Sequence, residues 1–199
     1  MNIITNNYSL ADKLQIAWWL IRTKLIDKRA RLFRFPLVLR GRNFVDFGEK
    51  LTTGVGCRFD CFGNNSERKL IRFGENVQIN DYVHLVAMEN ITIGNNVLIA
   101  SHVFISDNSH GSYKGNDQDS SPDLPPTERD YWTAPVVIGD NCWIGEGVVI
   151  MPDVEIGEGC VIGAHSIVNK NIPPKTIAVG SPAKVIKKWD EKCKRWVKV

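Results

Sequence analysis

The sequence predicts an all-β solenoid, a parallel β-helix wound from six-residue units, and three observations predict it. Ile138, Ile144, Ile150, Ile156, Ile162 and Val168 recur every six residues. A small or β-branched residue stands two places before each, in the units VVIGDN, CWIGEG, VVIMPD, VEIGEG, CVIGAH and SIVNKN. Glycine or another turn-compatible residue follows most of them. Helical spacing would place apolar residues three and four apart, and a lone strand would alternate at two without resetting. A fixed period of six is instead one short strand plus one turn, with two inward positions per unit. Gly139, Gly145, Gly157 and Gly163 are expected at corners, where a positive φ suits glycine.

The same register runs backwards through Phe73, Ile79 and Leu85, preceded by Ile71, Val77 and Val83, and through Ile93, Ile99 and Ile105, preceded by Ile91, Val97 and Val103. A weaker version in Val45 and Phe47, Leu51 and Thr53, and Cys57 and Phe59 sets the coil at residues 45–184. Two-residue slips in GNNSERKL and VHLVAMEN read as corner bulges. Residues 106–135 replace one turn with a polar loop holding Pro122, Pro125 and Pro126, and a loop that long is functional or disordered.

Residues 1–44 form a different segment, an N-terminal helical cap. Ser9 and Asp12 resemble a capping box ahead of Leu10, Leu14, Ala17, Trp18, Ile21, Leu25 and Ile26, with Lys13, Arg22, Lys24, Lys28, Arg29 and Arg31 on the other face. Closing the open end of the coil is the favoured role. The alternative is peripheral contact with an anionic inner membrane. Residues 185–199, with Val185, Ile186, Trp189, Cys193 and Trp196 against lysines, predict a C-terminal helix.

Composition narrows the function. At 199 residues, 43% hydrophobic and 24% charged, the chain is one domain with terminal additions, and a net charge of +3 indicates no nucleic-acid groove. Cys57, Cys61, Cys142, Cys160 and Cys193 make no even disulfide framework, and Cys142 and Cys160 take inward positions as small core fillers. No histidine stands beside Cys57 and Cys61 to complete a zinc set, so no metal is expected. A polar start without an apolar run predicts a cytoplasmic protein.

Chemistry concentrates where the repeat breaks, in ISDNSHGSYKG. His110 follows a rigid rung and precedes Gly111, and an imidazole is the side chain that takes and returns a proton near neutrality. His84, between inward Val83 and Leu85, should point outward, to orient a substrate or His110. Either Asp107 or Asn108 could fix the tautomer of His110. His102 and His165 read as surface or turn residues.

INDYVHL, IGNNVLIASHVFISDNSHGSY, APVVIGDNCWIGEGVVIMPDVEIGEGCVIGAHSIVNKNIPP and AVGSPAKVI together resemble the hexapeptide-repeat acyltransferases, in the branch of sugar O-acetyltransferases related to galactoside, maltose and polysaccharide enzymes. The resemblance spans about residues 70–187. It implies a left-handed parallel β-helix of triangular section, a homotrimer with active sites between subunits, and acetyl-CoA as co-substrate. It also implies roles. His110 matches the catalytic general base. A main-chain amide near Gly145 and Glu146 would hold the carbonyl oxygen, and Trp143 would line the pantetheine channel. Ala164, Asn169, Lys170 and Lys184 match the CoA groove, although Lys184 stands where relatives often carry arginine and lacks its bidentate fork. Asn80, Asp81, Tyr82, His84, Asp107 and Asn108 fall on the acceptor side.

The expected activity is transfer of an acetyl group to a sugar hydroxyl in a bacterial surface polysaccharide (O-antigen, capsule or exopolysaccharide). Acetylation of an antibiotic or an amino sugar is the alternative, followed by a non-catalytic repeat scaffold. A carbonic anhydrase on the same coil would need three histidines in zinc geometry, and His84, His102 and His110 lack its close pair.

Overall fold

Each six-residue unit forms one short strand and hands the chain to the next of three parallel sheets. In the computed structural model, which describes residues 8–64 and 68–199, the chain passes from Ile71–Phe73 to Gln78–Ile79 to His84–Ala87 and begins again at Ile91–Ile93. These three steps belong to three different sheets, named here faces C, A and B. Successive turns stack in register. Gln78, Leu98, Trp143 and Val161 form one column on face A, and Arg58, His84, Phe104, Val149 and Ile167 form one on face B.

Both marked positions of each unit are buried. Val136 and Ile138, Cys142 and Ile144, Val148 and Ile150, Val154 and Ile156, and Cys160 and Ile162 line one continuous core running from Ala30 to Ala178. The outer columns differ in character. Face C shows Arg72, Thr92, Val137 and Glu155. Face A shows Leu98, Trp143, Val161 and Ile177, and face B shows Phe104, Val149 and Ile167. Over these turns two faces are thus apolar outside as well as inside, while the third suits water; the earlier turns of faces A and B show Gln78, Arg58 and His84 instead.

The corner glycines serve a different purpose from the one their position suggests. Gly139, Gly145, Gly157 and Gly163 do not take a positive φ. A Cβ at Gly145 would lie 2.7 Å from the Ala164 nitrogen, and one at Gly157 would lie 2.5 Å from the Pro174 nitrogen. Rung-to-rung approach excludes a side chain there. The left-handed residue comes two places later, at Asn141, Gly147, Asp153, Gly159 and His165. Tyr82 and His102 hold the corner of Gly147 and His165 in the two turns before Gly147, with rings stacked at 5.2 Å.

The ends depart from expectation in two places. The coil starts at Leu32 rather than 45, because Leu32–Phe33 pairs with Thr52–Thr53 and Leu37–Arg40 pairs with Cys57–Cys61. The predicted C-terminal helix at 185–199 is a β-hairpin of Ala183–Asp190 and Arg195–Lys198, laid antiparallel on Thr176–Gly180. Alternate residues 183, 185, 187 and 189 are half-buried, a period of two that the lysines concealed, and Trp189 meets Trp196 across the pair at 5.4 Å. Between the ends, residues 106–135 leave the coil on an ordered hairpin of Asn108–His110 against Tyr131–Thr133.

Helix α1 (Leu10–Ile26) begins with a full Ser9–Asp12 capping box. It is anchored by Thr23, which is fully buried, donates to the Trp19 carbonyl at 2.7 Å and accepts from the Phe33 amide at 2.8 Å. Among the described residues no helix is long and apolar enough to cross a membrane. The slip in VHLVAMEN is a corner at 88–90, and the middle of the slip in GNNSERKL, residues 65–67, lies outside the described residues.

Candidate active site

Face B supplies a wall with an unusual polar core. Phe59 points inward, so Arg58 and Asp60 point outward beneath His84, which pairs with Arg58 in the next turn. Asp60 is nonetheless 2% exposed, covered by its neighbours. Its Oδ2 accepts from the Arg58 guanidinium at 2.6 Å and from His84 Nε2 at 3.2 Å, with Arg40 at 3.7 Å. Burial works to raise the Asp60 carboxyl, but the hydrogen bonds from Arg58 and His84 outweigh it and hold the group below its ordinary value. A carboxylate only accepts, so Nε2 of His84 carries a proton toward Asp60.

The opposing wall is the hairpin. The chain leaves face B after Ser106, turns through Asp107 and sends Asn108–His110 away from the coil, paired with Tyr131–Thr133. His110 stands opposite Tyr131 in this ladder, exposed, with ring centroids 4.6 Å apart. Further out the loop ties itself together. Arg129 bonds the Tyr113 hydroxyl at 2.7 Å and the Leu124 carbonyl at 2.8 Å, and Asp119 accepts from the Lys114 and Gly115 amides.

His84, His110 and Asn108 line one cavity of about 320 Å³, together with Arg58, Asp60 and Tyr131. An exposed imidazole against a tyrosine ring, facing a second one anchored to a buried carboxylate, can serve as a proton-transfer site on a hydroxyl substrate. A larger depression of about 560 Å³ sits within the loop tip, walled partly by Asp117, Asp119, Glu128 and Asp130. It holds no histidine, and its carboxylates would repel a phosphate-bearing ligand.

The remaining residues singled out in the sequence distribute over the coil. Asp107 is fully buried and its carboxylate accepts from the Met88, Glu89 and Asn90 amides, so it clamps the 88–90 corner and does not hold His110. The Asn108 amide is turned to Asp107 at 3.0 Å, not to His110. Asn80 and Asp81 line a separate depression of about 440 Å³ between α1 and face A, and Asp81 accepts from the Val55 amide at 2.8 Å. Tyr82 is the left-handed corner residue stacked on His102. Within one chain these three do not join His110.

Trp143 is exposed on face A, and Ala164, Asn169, Lys170 and Lys184 are all exposed. Ala164 adjoins Gly145 one turn along, while Asn169 and Lys170 follow the face B strand Ile167–Val168 at another corner. The Gly145 amide is already bonded to the Ile162 carbonyl at 2.8 Å, so it is no oxyanion donor. Glu146 is exposed at the same corner. Arg58, Asp60 and Tyr131 were not legible as site residues. Asp60 is an outward residue two places from another charge, which in sequence is the mark of a solvated surface.

Residues 135–170 match the bacterial transferase hexapeptide (six repeats) family. Over 195 residues the chain is 43% identical to the Escherichia coli K12 protein named "Putative lipopolysaccharide biosynthesis O-acetyl transferase WbbJ", covering 98% of this chain and 97% of the relative. The chain belongs to the hexapeptide-repeat acetyltransferases. Solved structures of that family superpose on it. A maltose O-acetyltransferase from Clostridium difficile 630 is 30% identical with a TM-score of 0.61, covering 92% of each chain. A galactoside acetyltransferase in complex with coenzyme A is 29% identical with a TM-score of 0.57, covering 89% of this chain and 76% of that one. As an acetyltransferase, this chain needs a proton acceptor beside a thioester groove, and the cavity of His84 and His110 is its candidate. Among the described residues no cluster of His, Cys, Asp and Glu could hold a metal ion.

Proposed function

We propose that this enzyme transfers the acetyl group of acetyl-CoA to a sugar hydroxyl of a bacterial surface polysaccharide precursor, with His110 as general base. The observation that carries the reading is the cavity shared by His110 and the anchored His84. The near full-length likeness to a lipopolysaccharide O-acetyl transferase and the coenzyme A bound by a galactoside relative support the acceptor and donor classes.

The chemistry is direct transfer. His110 takes the hydroxyl proton as the acceptor oxygen attacks the thioester carbonyl, the carbon–sulfur bond breaks, and the proton passes to the departing thiolate. An alcohol is far weaker as an acid than imidazolium, so proton transfer accompanies bond formation, a contribution of about 10² to 10⁴ in rate. The Glu146 amide at the coil corner stabilises the developing oxyanion, because a fixed backbone donor needs no reorganisation. Asp60 holds the His84 ring by Nε2, so that Nδ1 bonds a second acceptor hydroxyl and aligns the sugar.

The donor half of the site comes from a neighbour. Faces A and B carry apolar outer columns over their later turns, and a left-handed coil in a threefold assembly buries both, face A of one copy against face B of the next. That arrangement sets Trp143 and Gln78, which share a column, opposite the His110 cavity, and lets Asn80 and Asp81 complete the acceptor wall from the second copy. Ala164, Asn169, Lys170 and Lys184 then line the CoA groove, with Trp143 against the pantetheine. Acetyl-CoA and five unpaired cysteines fit a reducing cytoplasm.

Subunit mixing tests this reading. His110→Ala and Trp143→Ala are each expected to give homotrimers that are inactive or weak at low acetyl-CoA. Refolding the two variants together should restore part of the wild-type rate, since some interfaces then unite an intact His110 with an intact Trp143. Absence of recovery in verified mixed trimers would return both residues to the same subunit and remove the shared site. Loss of O-acetyl groups from the surface glycan of cells lacking the gene tests the acceptor class.

A further inference from the structure

Helix α1 carries an apolar stripe that the coil does not cover. Leu10 is 75% exposed, Leu14 64%, Trp18 58%, Ile21 56% and Leu25 78%. Their spacing of four, four, three and four keeps them on one face for the length of the helix, about 22 Å at 1.5 Å per residue. Buried Thr23 sits on the opposite face, so the stripe points directly away from the protein. A core-facing surface turned outward at this length marks a binding surface.

Charge identifies the occupant. Lys13 and Lys24 flank the stripe on one side, three residues on from Leu10 and Ile21, and Arg22 flanks it on the other, its guanidinium 3.7 Å above the Phe35 ring. Exposed Lys28 follows at the C-terminal end. None of these four is in an ion pair among the described residues, although Lys24 donates to the Lys28 and Ala30 carbonyls at 3.0 and 2.6 Å, which leaves Lys13 and Lys28 as the freest of the four. The helix's single acid, Asp12, is held at the N-terminus by Ser9. An apolar stripe rimmed by unpaired cations, with an indole in its middle, matches the boundary between acyl chains and anionic headgroups. A second copy of the same helix would bring like charges together along both rims.

We propose that α1 is an interfacial anchor, lying in the plane of an anionic bilayer with Leu10, Leu14, Trp18, Ile21 and Leu25 sunk among the acyl chains. This goes beyond the acetyl-transfer reading and does not rest on it. Two additive forces would hold it, burial of the stripe and attraction of the basic rim, so affinity should depend on lipid charge and on salt.

The test is co-sedimentation of the full-length protein with vesicles of phosphatidylglycerol and phosphatidylcholine, against vesicles of phosphatidylcholine alone. Binding to the anionic vesicles is expected to be stronger by at least about tenfold and to weaken with salt. The double variant Leu14→Glu/Ile21→Glu should lose binding, and the separate variant Lys13→Glu/Lys28→Glu should weaken it about tenfold on anionic vesicles only. The charge variant touches no packed side chain, so its result stands even if the apolar variant folds poorly. Absence of binding to anionic vesicles, equal binding to both vesicle types, or a change in assembly mass in the Leu14→Glu/Ile21→Glu variant, which would mean that another copy covers the stripe, overturns the proposal. Acetyl transfer to a soluble sugar should be unchanged in both variants, which separates this outcome from failure of the catalytic reading.

Discussion

The two walls of the His84–His110 cavity are built on opposite plans. The face B wall is part of the repeat: Arg58, Asp60 and His84 sit on stacked strands, each held by the turn above and below, and Asp60 ties the histidine to the arginine. The hairpin wall is outside the repeat, and His110 lies exposed on it with a tyrosine ring as its neighbour. A repeat gives rigidity at the cost of sameness, since every rung must satisfy the same register. The repeat holds His84 tightly against Asp60, whereas His110, outside the repeat, keeps both ring nitrogens free of side-chain hydrogen bonds among the described residues. Under the proposed mechanism the coil positions the substrate and the interruption supplies the base.

Replacing the hairpin imidazole should break this contrast most severely. His110→Ala is expected to lower kcat by about 10² to 10⁴, with little change in melting temperature because the side chain is exposed and bonds nothing in the core. Turnover assays paired with thermal melts check both halves. Retained turnover would transfer the base role to His84, the imidazole already equipped with a carboxylate.

On the wall, the corresponding change is Asp60→Asn. The amide keeps the shape but offers no charge to Arg58 and Arg40, whose side chains are 41% and 58% exposed. Solvent screening of those partners limits the expected stability loss to about 1–2 kcal/mol. The wall should also grip the acceptor less well, raising acceptor KM more than it lowers kcat. The pH dependence has a definite sign. Asp60 titrates below its ordinary 3.8 when folded, so its contribution is complete above that value and disappears as the pH falls through the depressed folded value. The stability gap between wild type and Asp60→Asn should therefore be constant near neutrality and close in strong acid. Denaturant melts across that range measure it, and a gap that widened in acid would mean that Asp60 is not held as the charged form.

The same contrast governs what could be read from the chain. The coil was legible because the register repeats: Ile138 to Val168 announce their inward positions six times, and each is buried. His110 stood out as a candidate because the repeat stops there. Asp60 did not, because its burial comes from Arg58, Arg40 and His84 folding over an outward position, and no local pattern records that. Asp107 misled for a related reason. Its neighbour His110 suggested a tautomer partner, but three amides of the 88–90 corner, about twenty residues away in sequence, take its oxygens. At the C-terminus, Val185, Ile186, Trp189 and Trp196 fit a helical reading equally well. Only the exposed edge of Thr176–Gly180, a tertiary fact, selects the hairpin.

The smallest effect expected here concerns how the bare imidazole is aimed. Tyr131 faces His110 across the hairpin ladder, and the tilted ring contact fixes the imidazole plane without taking either nitrogen in a hydrogen bond. Aromatic contacts of this kind contribute about 0.5–1.5 kcal/mol, so Tyr131→Leu should lower kcat by roughly twofold to tenfold. Tyr131→Phe should be close to wild type, since the hydroxyl plays no part in the contact. Both variants keep the strand pairing, which is made by backbone atoms. Equal losses in the phenylalanine and leucine variants would show that the phenol, and not the ring face, acts in the site. In that event the hairpin wall would contribute a second titrating group, and the division between a positioning coil and a single reacting imidazole would have to be redrawn.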